Sequence, residues 1–158
     1  MAAEIERKFL VDGDGYKAMA TGVRRIMQGY LSTQVGCTVR VRVADEPDDT
    51  CRAYLTIKGA NRGAERAEFE YEIPFEDGMT LLNMCERRIK KIRHLIPWDG
   101  LLWEVDEFLD ALDGLVVAEV ELDRADRPLS PPPFVTREVT SDPRYYNSHL
   151  STLTSPPE

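Results

Sequence analysis

Residues 37–44 have the sequence CTVRVRVA, in which valine and arginine alternate along the segment. Because residues two apart on a β-strand share a face, Arg40 and Arg42 lie side by side on one face and the valines lie on the other. Strict alternation of this kind is typical of a strand with one apolar and one polar face. The segment therefore predicts a β-strand that presents two adjacent cations.

The same two-residue period recurs in seven further segments along the chain. Turn-forming residues, such as those from Pro97 to Gly100, separate the segments. The short connections predict mostly antiparallel pairing. The eight predicted strands cover residues 4–11, 27–32, 37–44, 52–58, 66–75, 87–96, 101–108 and 116–123.

Eight strands can close into a barrel, which removes the exposed edges of an open sheet. We therefore predict a mainly β (α+β) fold, an eight-stranded antiparallel closed β-barrel with a few peripheral helices. The predicted helices lie at residues 78–86, within 16–25 and at 143–152. We expect a single domain over residues 1–158, with the strands within about 4–123 and a proline-rich link and C-terminal helix in 128–152.

Composition excludes several classes of function. The chain has 158 residues, with 20 Lys and Arg against 28 Asp and Glu, which gives a net charge of −8. This balance argues against binding to nucleic acid or to an anionic membrane. The N-terminal sequence does not have the pattern of a signal peptide, so we expect a cytoplasmic protein. The three cysteines lack CxxC spacing and predict reduced thiols rather than a disulfide framework or a zinc site.

The polar faces of the predicted strands carry charge pairs of one sign. On any one strand, the simplest interpretation is a solvated outer face. Taken together, however, the pairs place like charges side by side, which destabilises a sheet unless an opposite charge lies between them. Arginine and lysine bind phosphate oxygens, and Mg²⁺ or Mn²⁺ prefers carboxylates, so an enclosed cavity lined by both would suit a metal–polyphosphate complex. The pairs are Glu4/Glu6, Arg40/Arg42, Glu70/Glu72, Lys91/Arg93, Glu104/Asp106 and Glu119/Glu121.

The segment Glu4-Ile5-Glu6-Arg7-Lys8 resembles the ExExK signature of the CYTH, or triphosphate tunnel metalloenzyme, superfamily. ExExK alone is a weak signal, but the other motifs follow in the order of that family, from residue 4 to about residue 123. They are QGYL at 28–31, RVR at 40–42, TIK at 56–58, EYEI at 70–73, KIR at 91–93, EVD at 104–106 and EVE at 119–121.

The resemblance implies a tunnel of eight antiparallel strands that hydrolyses or cyclises triphosphate compounds with Mg²⁺ or Mn²⁺. Carried over by position, the residues that would grip the triphosphate are Lys8, Arg40, Arg42, Lys58, Lys91 and Arg93. Those that would hold the metal are Glu4, Glu6, Glu70, Glu72, Glu119 and Glu121.

Three assignments within this site stay open. Glu68 with Glu70 is an alternative register for the acidic pair of the fifth strand. Glu104 and Asp106 could belong to the same acidic group. Tyr30 and Lys91 are candidates for abstracting a proton from water, since a lysine buried beside other cations can have a depressed pKa. A water activated by the metal is the competing assignment.

The compact length and the EIERKFLV and QGYL segments favour an inorganic triphosphatase, a hydrolase that cuts tripolyphosphate to pyrophosphate and phosphate. The alternatives on the same tunnel are a thiamine or nucleoside triphosphatase and an adenylate cyclase. A second class is a non-catalytic module that binds polyphosphate or nucleotide, and a third is a plain β-barrel with exterior charges. The expected partner is a small-molecule polyphosphate, and whether the chain forms a homodimer stays open.

Overall fold

The computed structural model describes residues 3–46 and 48–157, which form nine β-strands and three short α-helices. The strands are β1 (Ala3–Val11), β2 (Gly22–Gln34), β3 (Cys37–Asp45), β4 (Cys51–Gly59), β5 (Glu65–Ile73), β6 (Arg88–Trp98), β7 (Leu101–Phe108), β8 (Val116–Glu121) and β9 (Val135–Glu138). The helices are α1 (Tyr16–Met19), α2 (Phe75–Met84) and α3 (Asn147–Leu150).

Eight of the strands close into an antiparallel barrel in the order β1-β5-β4-β3-β2-β6-β7-β8, and β8 returns to β1. The closure between β1 and β5 is short, since it contains three residue pairs from Ala3↔Ala67 to Ile5↔Glu65. Farther along β1, the short strand β9 pairs with it in antiparallel orientation. The predicted closed antiparallel barrel is therefore confirmed, with β9 as an addition.

The apolar core lies mainly on the outer side of the barrel wall. Phe9, Trp103, Val105 and Val120 alternate with inward-facing charged residues, and they pack with Tyr16 of α1 and other residues in one buried cluster. A second cluster lies where Val41 of β3 packs against Leu82 of α2. Covering segments therefore bury much of the outer surface of the barrel, although Phe69 and Tyr71 on the outward face of β5 stay exposed.

A third apolar cluster fills one end of the barrel and forms the floor of its interior. Tyr30, Ile89, Phe108 and Val117 come from four different strands and pack with Tyr145 and Leu150 of the C-terminal segment. Among the described residues, the interior is not apolar along its whole length, since charged side chains line the rest of it. The barrel thus has a polar chamber above an apolar floor.

Local sequence explains the hairpin that joins β6 to β7. Asp99 has φ of 51° and Gly100 has φ of 75°. Two successive residues with positive φ are what a two-residue type I′ turn requires, and Asp-Gly is a favoured pair for it. The turn fixes the register that places Arg93 opposite Asp106.

Several predicted element bounds were wrong. The strand predicted at 27–32 is β2, which begins at Gly22 and is 13 residues long, so the helix expected within 16–25 is reduced to the four residues of α1. The consecutive arginines Arg24 and Arg25 hid this part of the strand because they break the apolar–polar alternation. The C-terminal helix predicted at 143–152 is a 3₁₀ turn, Pro143–Tyr145, followed by the four-residue α3. The helix predicted at 78–86 is confirmed as α2, shifted toward the N-terminus.

Within the ranges given above, the structure contains no helix long and apolar enough to cross a membrane.

Candidate active site

The interior of the barrel contains a cavity of about 260 Å³. All eight barrel strands contribute side chains to it, because the inward face of each strand carries the polar half of the alternation. Residues after β9 in the chain complete the wall. The lining consists of Glu4, Glu6, Lys8, Arg24, Tyr30, Thr38, Arg40, Arg42, Lys58, Asn61, Arg66, Glu68, Glu70, Lys91, Arg93, Glu104, Glu119, Glu121, Thr140, Tyr146, Asn147 and Ser148.

The structure brings all six cations predicted from the sequence to this one cavity. They are Lys8, Arg40, Arg42, Lys58, Lys91 and Arg93. Two further arginines, Arg24 and Arg66, were not selected from the sequence and also line the wall. Arg24 was missed because it lies in the part of β2 that was predicted as a helix.

The guanidinium group of Arg40 is only partly hydrogen-bonded within the protein. Its side chain is buried, and one terminal nitrogen donates to Thr56 Oγ1 at 3.1 Å. Its Nε is buried without a hydrogen-bond partner among the described residues. A buried donor that is left unsatisfied is costly, so an oxyanion in the cavity would remove this cost. Arg40 thus fits the role of a phosphate-binding residue.

Five of the six carboxylates predicted to hold metal also line the cavity: Glu4, Glu6, Glu70, Glu119 and Glu121. The sixth, Glu72, does not line the cavity. Glu72 is exposed outside the cavity lining and approaches Arg52 at 4.0 Å. Glu68 lines the cavity instead and lies 3.2 Å from the Lys58 ammonium. The alternative register, Glu68 with Glu70, is therefore the one that faces the interior, because β5 leaves the chamber before Glu72.

Asp106 forms the most buried ion pairs of the wall. Arg93 binds its carboxylate with two hydrogen bonds of 2.8 and 2.9 Å, and Lys91 Nζ approaches it at 2.7 Å. Burial opposes its ionisation, but the attraction of Arg93 and Lys91 prevails and holds the pKa of Asp106 well below its usual range. Asp106 does not line the cavity, so its carboxylate orients two cations, whereas Glu104 lines the cavity and approaches Arg93 at 3.2 Å.

The environment of Lys91 lowers the pKa of its amine to about 7. The main cause is desolvation, since the side chain is 1% exposed and Nζ lies 5.5 Å from the centre of the Phe108 ring. The charges of Arg93 and Arg42 act in the same direction, and Asp106 opposes them. A lysine of this kind can lose and regain a proton near neutral pH.

Four carboxylates of β1 and β8 line the cavity and are called the acidic wall below: Glu4, Glu6, Glu119 and Glu121. Glu6 faces Glu121 in the register of the two strands. Desolvation, with the charges of Glu119 and Glu4, raises the pKa of Glu6 to about 8. Desolvation also raises the pKa of Glu4 and of Glu121. The Lys58 ammonium lies 2.6 Å from Glu4 and favours its ionisation, but burial outweighs this attraction in all three carboxyl groups.

This acidic wall fits a divalent cation. Carboxylates that are crowded enough to raise one another's pKa become stable as anions when a metal ion lies among them. No group of three or more His, Cys, Asp or Glu among the residues described is close enough to form a ready-made metal cage. A metal held here would therefore take part of its oxygen ligands from water or from phosphate.

The C-terminal segment supplies residues that sequence reasoning missed. Lys8 Nζ donates to the Tyr145 carbonyl oxygen at 3.0 Å, and Lys91 Nζ donates to Asn147 Oδ1 at 3.0 Å. Tyr146 and Ser148 line the cavity beside them. The sequence predicted a helix here, and no alternation predicted that side chains of this segment would reach the interior.

Comparison with known proteins agrees with this geometry. A family model described as the CYTH domain matches residues 2–152. An inorganic triphosphatase from Acetivibrio thermocellus is 45% identical over 152 residues, which are 95% of this chain and 94% of the relative. An inorganic triphosphatase from Nitrosomonas europaea is 34% identical over 157 residues, which cover 94% of this chain and 96% of the relative. A crystal structure of an inorganic triphosphatase matches 94% of this chain and 97% of that chain with a TM-score of 0.64 and 34% identity.

Proposed function

This chain belongs to the CYTH domain family, and we propose that it is an inorganic triphosphatase that uses a divalent metal to cleave tripolyphosphate into pyrophosphate and phosphate. The observation that carries the proposal is a single cavity of about 260 Å³ lined by eight Lys and Arg side chains and seven Glu side chains, drawn from all eight barrel strands. A metal–triphosphate complex would offer phosphate oxygens to the cations and a divalent cation to the carboxylates.

The cations would hold the triphosphate chain. Arg40 offers an unsatisfied buried donor, and Arg42 and Arg93 offer planar guanidinium groups that match phosphate oxygens. Lys8 and Lys58 add compact charges at neighbouring positions. Phosphoryl transfer needs alignment and charge stabilisation more than covalent chemistry from the protein, and a rigid barrel provides that alignment.

Glu4, Glu6, Glu119 and Glu121 would hold Mg²⁺ or Mn²⁺, with Glu68 and Glu70 nearby on β5. When bound, such a metal neutralises phosphate charge and polarises the oxygen that it contacts. We propose Mg²⁺ or Mn²⁺ because a site built from carboxylate oxygens favours hard divalent cations.

In hydrolysis, a water oxygen forms a bond to a terminal phosphorus, the P–O bond of the anhydride breaks, and pyrophosphate leaves with that bridging oxygen. The water must lose a proton to a base. We propose Lys91 or Tyr30 for this step, since both line the cavity and the pKa of Lys91 is lowered to about 7. Lys91 as a neutral amine would accept the proton and become an ammonium beside Asp106.

The lining favours an inorganic substrate over a nucleotide or thiamine triphosphate. Trp103 is buried in the core outside the barrel wall, and the indole of Trp98 donates to the Ser130 carbonyl oxygen at 2.9 Å. The aromatic residues in the described lining are Tyr30 and Tyr146, and Tyr30 forms part of the apolar floor. This arrangement offers little surface on which a base could stack.

The test measures phosphate release from tripolyphosphate, ATP and thiamine triphosphate, each with Mg²⁺, Mn²⁺ or a chelator. We expect tripolyphosphate to be the fastest substrate and the chelator to abolish turnover. Lys91→Ala should lower kcat by at least about a hundredfold, while the matched control Lys90→Ala, on the exposed opposite face, should not. Faster turnover of ATP would contradict the proposed specificity, and binding without phosphate release would favour a non-catalytic module.

A further inference from the structure

One uncharged side chain is buried between the groups of the site. Gln28 lies in the middle of β2 and is 0% exposed, yet it does not line the cavity. A buried amide is tolerated only when its donors and acceptors are satisfied. Its partners therefore reveal what the residue does.

Gln28 connects residues on two sides of the cavity wall. Its Oε1 accepts two hydrogen bonds from Arg42, at 3.0 Å from Nε and 2.8 Å from a terminal nitrogen. Its Nε2 donates to the Tyr30 hydroxyl oxygen at 3.1 Å and to Asn147 Oδ1 at 3.3 Å. Both ends of the amide are thus fully used.

Chemistry fixes the orientation of this amide. Rotation by 180° would bring the NH₂ group against the Arg42 guanidinium, which has only donors. It would also bring the carbonyl oxygen against Asn147 Oδ1, which already accepts from Lys91 Nζ at 3.0 Å. Arg42 and Asn147 therefore hold Gln28 in one arrangement.

This arrangement prepares two groups that line the cavity. Because Nε and one terminal nitrogen of Arg42 are directed at Gln28, the other edge of the guanidinium is left for a ligand in the cavity. Because the Tyr30 oxygen accepts from Gln28, the hydroxyl proton of Tyr30 is left for a different acceptor. One amide thus orients a phosphate-binding group and a candidate proton-transfer group together.

We infer that Gln28 is a positioning residue of the proposed triphosphatase: it aligns Arg42 for substrate binding and Tyr30 for turnover without touching the substrate. The inference rests on the proposed function, since it assigns a part in that reaction. It differs from a packing role because it depends on the hydrogen bonds of the amide and not on its volume.

Two substitutions distinguish the hydrogen bonds that Gln28 accepts from Arg42 from the one that it donates to Tyr30. Gln28→Glu keeps an oxygen for Arg42 but replaces the donor that faces Tyr30, so Tyr30 must turn its own proton toward the carboxylate. We expect kcat for tripolyphosphate to fall about tenfold or more while KM changes little. Gln28→Met keeps the volume and removes all four hydrogen bonds of the amide, so we expect kcat to fall and KM to rise. Gln34→Met, on the exposed end of the same strand, is the matched control and should match the wild type.

A double-mutant cycle tests whether Gln28 acts through Tyr30. In a Tyr30→Phe background, Gln28→Glu should cost less kcat than it does in the wild-type background, because one of the groups that it positions is already absent. Additive losses, or wild-type kinetics for Gln28→Met, would overturn the inference. If Gln28→Met does not fold, Gln28→Glu, which keeps the shape of the side chain, decides the question alone.

Failure of the proposed function gives a different result. If the wild type binds tripolyphosphate but releases no phosphate, the proposed function is wrong, and Gln28 is then judged by calorimetric binding of tripolyphosphate. Weaker binding by Gln28→Met with unchanged binding by Gln28→Glu would support the alignment of Arg42. Equal binding by both variants and the wild type would overturn it.

Discussion

Replacing Glu6 with glutamine should make the metal-free protein more stable at pH 8 while destroying its activity. Glu6 has a pKa raised to about 8 by desolvation and by the charges of Glu119 and Glu4. In the unfolded chain this carboxyl ionises near pH 4.5. Between these values the folded state retains a proton that the unfolded state has lost, so the contribution of Glu6 to stability is fully present below pH 4.5 and is lost as pH rises through 8.

The size of the effect follows from this shift in pKa. A rise from 4.5 to about 8 corresponds to roughly 5 kcal/mol, since one pKa unit is worth about 1.4 kcal/mol. Glu6 is partly exposed to the cavity, where water screens it, so we expect about half of this value, on the order of 2–3 kcal/mol. Glutamine has nearly the same shape and no charge, so at every pH it should avoid the free-energy cost of ionising a buried carboxyl group.

The assay is denaturant unfolding in the presence of a chelator at pH 5 and pH 8. Glu6→Gln should unfold with a free energy close to that of the wild type at pH 5 and higher at pH 8. Adding Mg²⁺ at pH 8 should stabilise the wild type more than the variant, because the ion needs the carboxylate. Glu72→Gln, outside the cavity, is the control. A variant less stable than the wild type at pH 8, or an equal difference at both pH values, would refute this reasoning.

Three further outcomes are expected. Lys91→Arg should abolish the rise of kcat/KM with pH through about 7, because guanidinium stays protonated where the lysine amine becomes neutral; an unchanged pH profile would remove Lys91 as the base. Glu70→Gln should lower kcat/KM about tenfold or more, whereas Glu72→Gln should leave it unchanged, and equal effects would contradict the register of β5. Asn147→Ala should lower kcat about tenfold with little change in KM, since Lys91 loses an acceptor at 3.0 Å; stopped-flow turnover equal to that of the wild type would deny this role.

The alternation of residues predicted the strands and the side chains that share a face, and the resemblance to the CYTH superfamily then implied that these faces line a tunnel. On β3 and β6 the two-residue period determines which side chains share a face, and the like-charged pairs indicated that this face is enclosed. Arg40, Arg42, Lys91 and Arg93 therefore lie together as predicted. The observation that would have contradicted this interpretation, an apolar interior with charges outside, is not found among residues 3–46 and 48–157.

The two-residue period predicts which side chains share a face of a strand. It does not predict how far along the barrel axis each side chain lies. Glu70 and Glu72 share a face of β5, yet only Glu70 reaches the chamber, because the end of β5 extends beyond it. Asp106 was grouped with the acids, but two cations bind it inside the wall. Where a side chain lies along the barrel, and which side chains of other strands it meets, depends on the tilt and register of the strands. The sequence of a single strand does not encode either property.

Residues outside regular alternation could not be found in this way. Gln28 has no charge, and its importance lies in four hydrogen bonds with three partners from β2, β3 and the C-terminal segment. Asn147 follows a turn and lies in a helix of four residues. Only the folded chain brings such residues together, since no local pattern requires them to meet.

The strand that carries Glu4, Glu6 and Lys8 is synthesised well before its main partner β8, since β1 ends at Val11 and β8 begins at Val116. At about 5–20 residues per second, β1 emerges several seconds before Glu119 and Glu121 exist. Its pairing with β5 offers only three residue pairs in the interval. Most of β1 therefore waits for β8 before it pairs, so chaperone access to β1 during this interval should affect the yield of folded protein.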